Sequence, residues 1–177
     1  MSKLSNRSVA FLATDCFEQV ELTHPWKALK EQGAKPVLVS IKKGEIQGLN
    51  HIDKGDEFSV DCLVSEVNIS DFDALVLPGG AMNPDELRTD STCVQFIADF
   101  FNSGKPVAAI CHAPWTLVEA GVLKGRTLTS WPSLQTDIQN AGGSWVDQEL
   151  SIDGNLITSR CPDDLEAFSS AIVNALS

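Results

Sequence analysis

Residues 105–112 read KPVAAICH. From Pro106 to Ile110 the run is apolar with no alternating polar residue, the pattern of a strand buried on both faces, and such strands belong to parallel sheets covered by helices. Residues 113–121 then carry helical spacing. Cys111 therefore falls at a sharp strand-to-helix turn, where a single side chain is projected from the sheet edge.

Outward from this turn, strands and helices alternate. Upstream, 8–14 (SVAFLAT) is a strand, followed by a helix over 21–33 on which Leu22, Trp26 and Leu29 recur and which Gly33 ends. Pro25 predicts a break or restart of that helix near His24, because proline removes a helical hydrogen bond. Residues 35–41 form a second strand and 44–61 a β-excursion. A third strand, 73–77 (DALVL), runs straight into Pro78-Gly79-Gly80, and 91–103 is an amphipathic helix closed by Gly104. Downstream come a short strand at 126–129, a helix over 133–141, a hairpin of 145–151 with 155–160 around the Asp153-Gly154 turn, and a helix over 163–176. This order predicts a three-layer α/β/α sandwich: a flavodoxin-like, doubly wound, mostly parallel sheet with small β-hairpin additions, residues 1–177 forming one domain. Ligands of such folds bind beyond the carboxyl ends of the strands.

Composition narrows the function. Thirteen basic against twenty-four acidic side chains give a net charge of −11, which repels phosphate backbones and anionic lipid, so neither nucleic acid nor membrane is an expected partner. Five cysteines, an odd and scattered set, suggest no disulfide framework, and with no apolar leader the expected location is the cytoplasm. The three histidines lack ligand-type spacing, and DCFEQVE after the first strand is too acidic to cradle a phosphate. No metal or other cofactor is expected.

Three strand ends carry reactive sequence. His112 directly follows Cys111 and could take its proton. The start of a helix behind Cys111 should favour its thiolate. Gly79 and Gly80 let the backbone approach a substrate and offer N–H groups for an oxyanion hole. Glu18, beyond the first strand, could hydrogen-bond the sulfur. The other cysteines and Trp115, Trp131 and Trp145 read more simply as packing residues.

The segments FEQVEL, FDALVLPGG, GKPVAAICHAPWTLVEAGVLKGRTLTSWPS, DIQNAGGSWVDQEL and DGNLITSR together resemble the PfpI-like intracellular proteases of the ThiJ/PfpI superfamily, which has the class I glutamine amidotransferase-like fold. The resemblance implies Cys111 as nucleophile, His112 as its base, Glu18 as a protonated carboxyl on the sulfur, and Gly80 with the His112 amide as oxyanion donors. It also implies an acid supplied by a second subunit from the loop AMNPDEL, matched by Asp85 with Glu86 as the fallback, and hence a homodimer or higher homo-oligomer that completes the site. The implied activity is a stress-response hydrolase or lyase acting on small carbonyl compounds or peptides, by deglycase, glyoxalase or peptidase chemistry. The alternative is a redox sensor or chaperone working through oxidation of Cys111. A glutamine amidotransferase, which needs a histidine in its C-terminal region, is excluded because none follows His112.

Overall fold

A computed structural model describes residues 3–177. In chain order the elements are β1 (Ser8–Leu12), β2 (Phe17–Glu18), α1 (Gln19–Glu31), β3 (Lys35–Ser40), β4 (Glu45–Asn50), β5 (Asp53–Ser59), β6 (Cys62–Leu63), β7 (Ala74–Leu77), α2 (Met82–Leu87) and α3 (Ser91–Asn102). They continue with β8 (Val107–Ile110), α4 (Pro114–Glu119), β9 (Thr127–Leu128), α5 (Gln135–Asn140), β10 (Ser144–Trp145), β11 (Ser151–Asp153), β12 (Leu156–Ser159) and α6 (Leu165–Leu176).

The central sheet has the order β11-β12-β8-β7-β1-β3-β6, and only its β11–β12 pair is antiparallel. Alternate residues of the central strands enter two separate cores. Ala10, Leu12, Leu75, Leu77, Val107 and Ala109 pack with Phe96, Ile97 and Phe100 of α3 and Leu117 of α4. Val9, Phe11, Ala74, Val76, Ala108 and Ile110 pack on the other face with Leu22 and Leu29 of α1 and Phe168 and Ile172 of α6. Both faces are covered, which explains why these strands are apolar throughout. None of the helices among the described residues is long and apolar enough to cross a membrane.

Two expectations are corrected. Helix α1 runs unbroken through Pro25. The ring costs it the hydrogen bond a residue there would give to the Glu21 carbonyl, but Leu22, Pro25 and Leu29 are buried together and Trp26 packs on Phe11 with centroids 5.0 Å apart, so tertiary packing outweighs the loss. Residues 145–151 are not one arm of a hairpin either. Trp145 pairs in parallel with Leu128, its indole Nε1 donating to Ser130 Oγ at 2.9 Å, and only Ser151–Asp153 pairs with β12. The indole N–H needs a partner, and Ser130 supplies one away from the edge of the main sheet.

The sheet places the reactive segments side by side. In the parallel β7–β8 pair Leu77 lies opposite Ala109, so the two strands deliver Gly79 and Cys111 to the same level. Strand β1, on the other side of β7, delivers Thr14 and the turn to β2.

Candidate active site

Cys111 stands between β8 and α4 with φ at +62°, a conformation in which a residue with a Cβ is strained. Its N–H donates to the Ser159 carbonyl at 3.1 Å and its own carbonyl accepts from Trp131 N–H at 2.9 Å, so both neighbours hold the elbow in place. The side chain is 7% exposed. The backbone N–H groups of Gly80 and His112 both face the sulfur.

The carboxyl beside the sulfur belongs to Glu21, not Glu18. Glu21 lies in the first turn of α1 and is fully buried, its Oε2 accepting from Gly79 N–H at 2.8 Å. Its Oε1 is buried with no conventional hydrogen-bond partner among the described residues. Burial, reinforced by the charge of nearby Glu18 and only partly offset by the Gly79 N–H, raises the Glu21 pKa to about 8. A helix N-terminus ordinarily favours an ionised carboxylate, but here desolvation prevails and the group is protonated at neutral pH. Glu18 turns away. Strand β2 sends Phe17 into the core, while the Glu18 carboxylate accepts from His51 N–H at 3.2 and 3.3 Å.

Burial of the sulfur pushes the Cys111 thiol up, opposite to the lowering expected from a helix start. An ionised Glu21 would push it further, whereas the Gly80 and His112 amides pull it down. Helix α4 has only six residues, too few for a strong dipole. With Glu21 protonated at neutral pH, its negative charge is absent and the two amides act unopposed by it.

His112 Nδ1 lies 3.1 Å from the Cys111 sulfur. The imidazole stacks on Trp131 at 5.7 Å and 21° and tilts against Trp115 at 5.2 Å. Burial lowers its pKa, so the ring is neutral at pH 7, the form able to accept a proton. Among the described residues no carboxylate forms an ion pair with it. Asp85 and Glu86 are exposed on α2, and this chain does not bring either into contact with His112.

Gly79 is wedged between the two reactive side chains. A Cβ there would lie 2.5 Å from Glu21 Oε2 and 2.6 Å from Cys111 Cβ. Gly80, with φ at +80°, leaves no more room: a Cβ would lie 2.8 Å from both the Cys16 carbonyl and the Glu18 nitrogen. The structure brings together Cys111, His112, Gly79 and Gly80, all expected from the sequence, and adds Glu21 and the stacked Trp131, which were not. Glu21 had a legible signal, since it shares the buried stripe of α1 with Leu22, Pro25 and Leu29, where a solvated carboxylate has no place. Trp131 follows β9 in an irregular stretch, and no periodicity marks it.

A family model described as the DJ-1/PfpI family matches residues 7–175. A deglycase of Pyrococcus abyssi is 45% identical over 168 residues, covering 95% of this chain and 98% of that protein. General stress protein 18 of Bacillus subtilis is 42% identical and covers 92% of this chain and 94% of its own. Among solved structures, a two-domain protein from Anabaena variabilis containing DJ-1/ThiJ/PfpI-like and ferritin-like domains superposes with a TM-score of 0.92 at 35% identity. That match takes in 97% of this chain and 48% of the other.

Proposed function

This chain belongs to the DJ-1/PfpI family, and from that footing we propose that it is a cysteine-dependent stress-response hydrolase of the deglycase type, with residues 1–177 working as one catalytic unit. The observation that carries this reading is the surroundings of Cys111: a thiol on a strained elbow, met by the Gly80 and His112 amides, a buried Glu21 carboxyl and the His112 imidazole.

In this reading His112 Nδ1 takes the thiol proton, and the thiolate adds to an electrophilic carbonyl carbon. The C=O π electrons move to oxygen, and amide N–H groups at the elbow stabilise the developing oxyanion. As the oxyanion collapses the C–N bond breaks and the imidazolium gives its proton to the departing amine. Water then attacks the S-acyl intermediate, with His112 taking its proton and passing it to the departing Cys111 sulfur. The proton on Glu21 belongs on Oε1, the oxygen no donor occupies, and a neutral carboxyl beside the sulfur spares a buried thiolate the repulsion of a second negative charge. Catalytic roles go to Cys111 and His112, with Glu21 in the place first given to Glu18, and the loop Gly79-Gly80 binds substrate. Dicarbonyl adducts of amino groups and short peptides both present a suitable carbon, and the names of the relatives favour the former. Asp85, or Glu86, of a second copy is the acid that orients His112 in a homodimer or larger homo-oligomer.

The oxidation-sensor alternative draws less support. Sulfur oxidation follows thiolate character and exposure, and Cys111 is 7% exposed with burial raising its pKa. The deciding experiment compares wild type with Cys111→Ser on a methylglyoxal-modified amine and on a peptide. Loss of turnover by about a thousandfold or more is expected for a missing nucleophile. Undiminished turnover by Cys111→Ser refutes the reading.

A further inference from the structure

The Gly79–Gly80 peptide needs something to aim it. Glycine has no side chain to lock its backbone, and Gly80 adopts φ of +80°, so the loop has ample conformational freedom to lose. A fully buried side chain meets it: Asn83, in the first turn of α2. Asn83 Nδ2 donates to the Pro78 carbonyl at 3.0 Å and to the Gly79 carbonyl at 3.1 Å. Its Oδ1 accepts from Thr14 N–H at 2.7 Å. The amide's orientation is fixed by these partners, because a flip would set its NH₂ against an N–H and its oxygen against two carbonyls.

The Gly79 carbonyl and the Gly80 N–H belong to one planar trans peptide, so they point in opposite directions. Holding the oxygen therefore aims the N–H. The oxygen is held by Asn83 Nδ2 and by Glu18 N–H at 3.2 Å, and on the far side the Gly80 N–H faces the Cys111 sulfur. We propose that Asn83 is a positioning residue of the site: by clamping the Pro78 and Gly79 carbonyls to the end of β1, it points the Gly80 N–H at the reacting sulfur and at the oxyanion that forms beside it. This rests on Cys111 being the nucleophile, but the clamp itself is tested without turnover.

Asn83→Leu keeps the shape and removes all three hydrogen bonds; Asn83→Ser keeps a smaller polar group. The control is Leu87→Ala, which empties a buried position on the same helix and destabilises without touching the loop. For each intact protein the rate of Cys111 alkylation by iodoacetamide is followed by mass spectrometry across pH, beside the melting temperature. Losing a charge-assisted N–H bond should slow alkylation about tenfold at pH 7 and move its midpoint up by about one unit. Leu87→Ala should lower the melting temperature and leave the midpoint in place. Midpoints unmoved in the Asn83 variants, or moved equally in Leu87→Ala, overturn the proposal; if Asn83→Leu does not fold, Asn83→Ser is judged by the same criterion. Turnover that survives Cys111→Ser would instead defeat the enzymatic reading and leave the alkylation result standing.

Discussion

Glu21 carries a proton at neutral pH because the single Gly79 N–H that reaches it does not make up for the loss of water around a buried charge, and that proton is visible in stability as well as chemistry. Its pKa rises from 4.5 to about 8 on folding, so between those values the folded state holds a proton that the unfolded chain releases. Stability from this group is therefore full below about pH 4.5 and falls as pH rises toward 8, by a few kcal/mol at most. Glu21→Gln, a neutral isostere, should remove this slope. Urea denaturation at pH 5 and pH 8 is expected to show the wild type losing ground to Glu21→Gln at the higher pH; a constant difference means the carboxyl is ionised in the fold. His112 works in the other direction, since burial lowers its pKa and costs stability only as pH falls below about 6.5, so the comparison with Glu21→Gln isolates the carboxyl. Glu18 looked suitable from sequence because it ends a strand. Which carboxyl faces the sulfur depends on where α1 begins, and a one-turn difference in that start separates Glu18 from Glu21.

Among the elements, the turn from β7 to α2 is the most constrained. Gly80→Ala meets the Cys16 carbonyl and Glu18 nitrogen at 2.8 Å with φ at +80°, and both contacts are backbone atoms that cannot swing away. A loss of about 1–3 kcal/mol is expected, read as a lower melting temperature, together with reduced turnover. An unchanged melting temperature would mean that the turn gives way easily. The strands of the central sheet were legible because burial on both faces writes itself as unbroken apolar runs, as in residues 74–77 and 107–110. Pro25 and Trp145 were misread for a shared reason: a local preference was overruled by partners distant in sequence, Phe11 for the helix and Ser130 for the indole.

At the scale of the whole molecule, the acid proposed for His112 would have to come from a second copy. Asp85 and Glu86 sit exposed on α2 beside Met82, which is 62% exposed, while Trp131 is 41% exposed against the imidazole. These two apolar side chains suit an interface that would bring the acid of one copy to the histidine of another. Met82→Glu should therefore shift the protein toward monomer in light scattering and cut turnover at least tenfold, as expected when a base loses its orienting partner. A fully active monomer rules out the shared site. Such a contact would not be legible in a single sequence, because the acid's distance from His112 would depend on how two copies meet. The amides around Cys111 have a different consequence. Gly79, Gly80 and His112 act at this site through main-chain N–H groups, and no substitution short of proline can delete a main-chain N–H. Much of the chemistry is thus carried by atoms common to nearly every amino acid, and the hereditary burden of keeping the site reduces to a few side chains and the room the glycines leave. Descendants of such a protein are free to change the walls around the cysteine, and with them the molecules admitted, while the means of attack passes on intact.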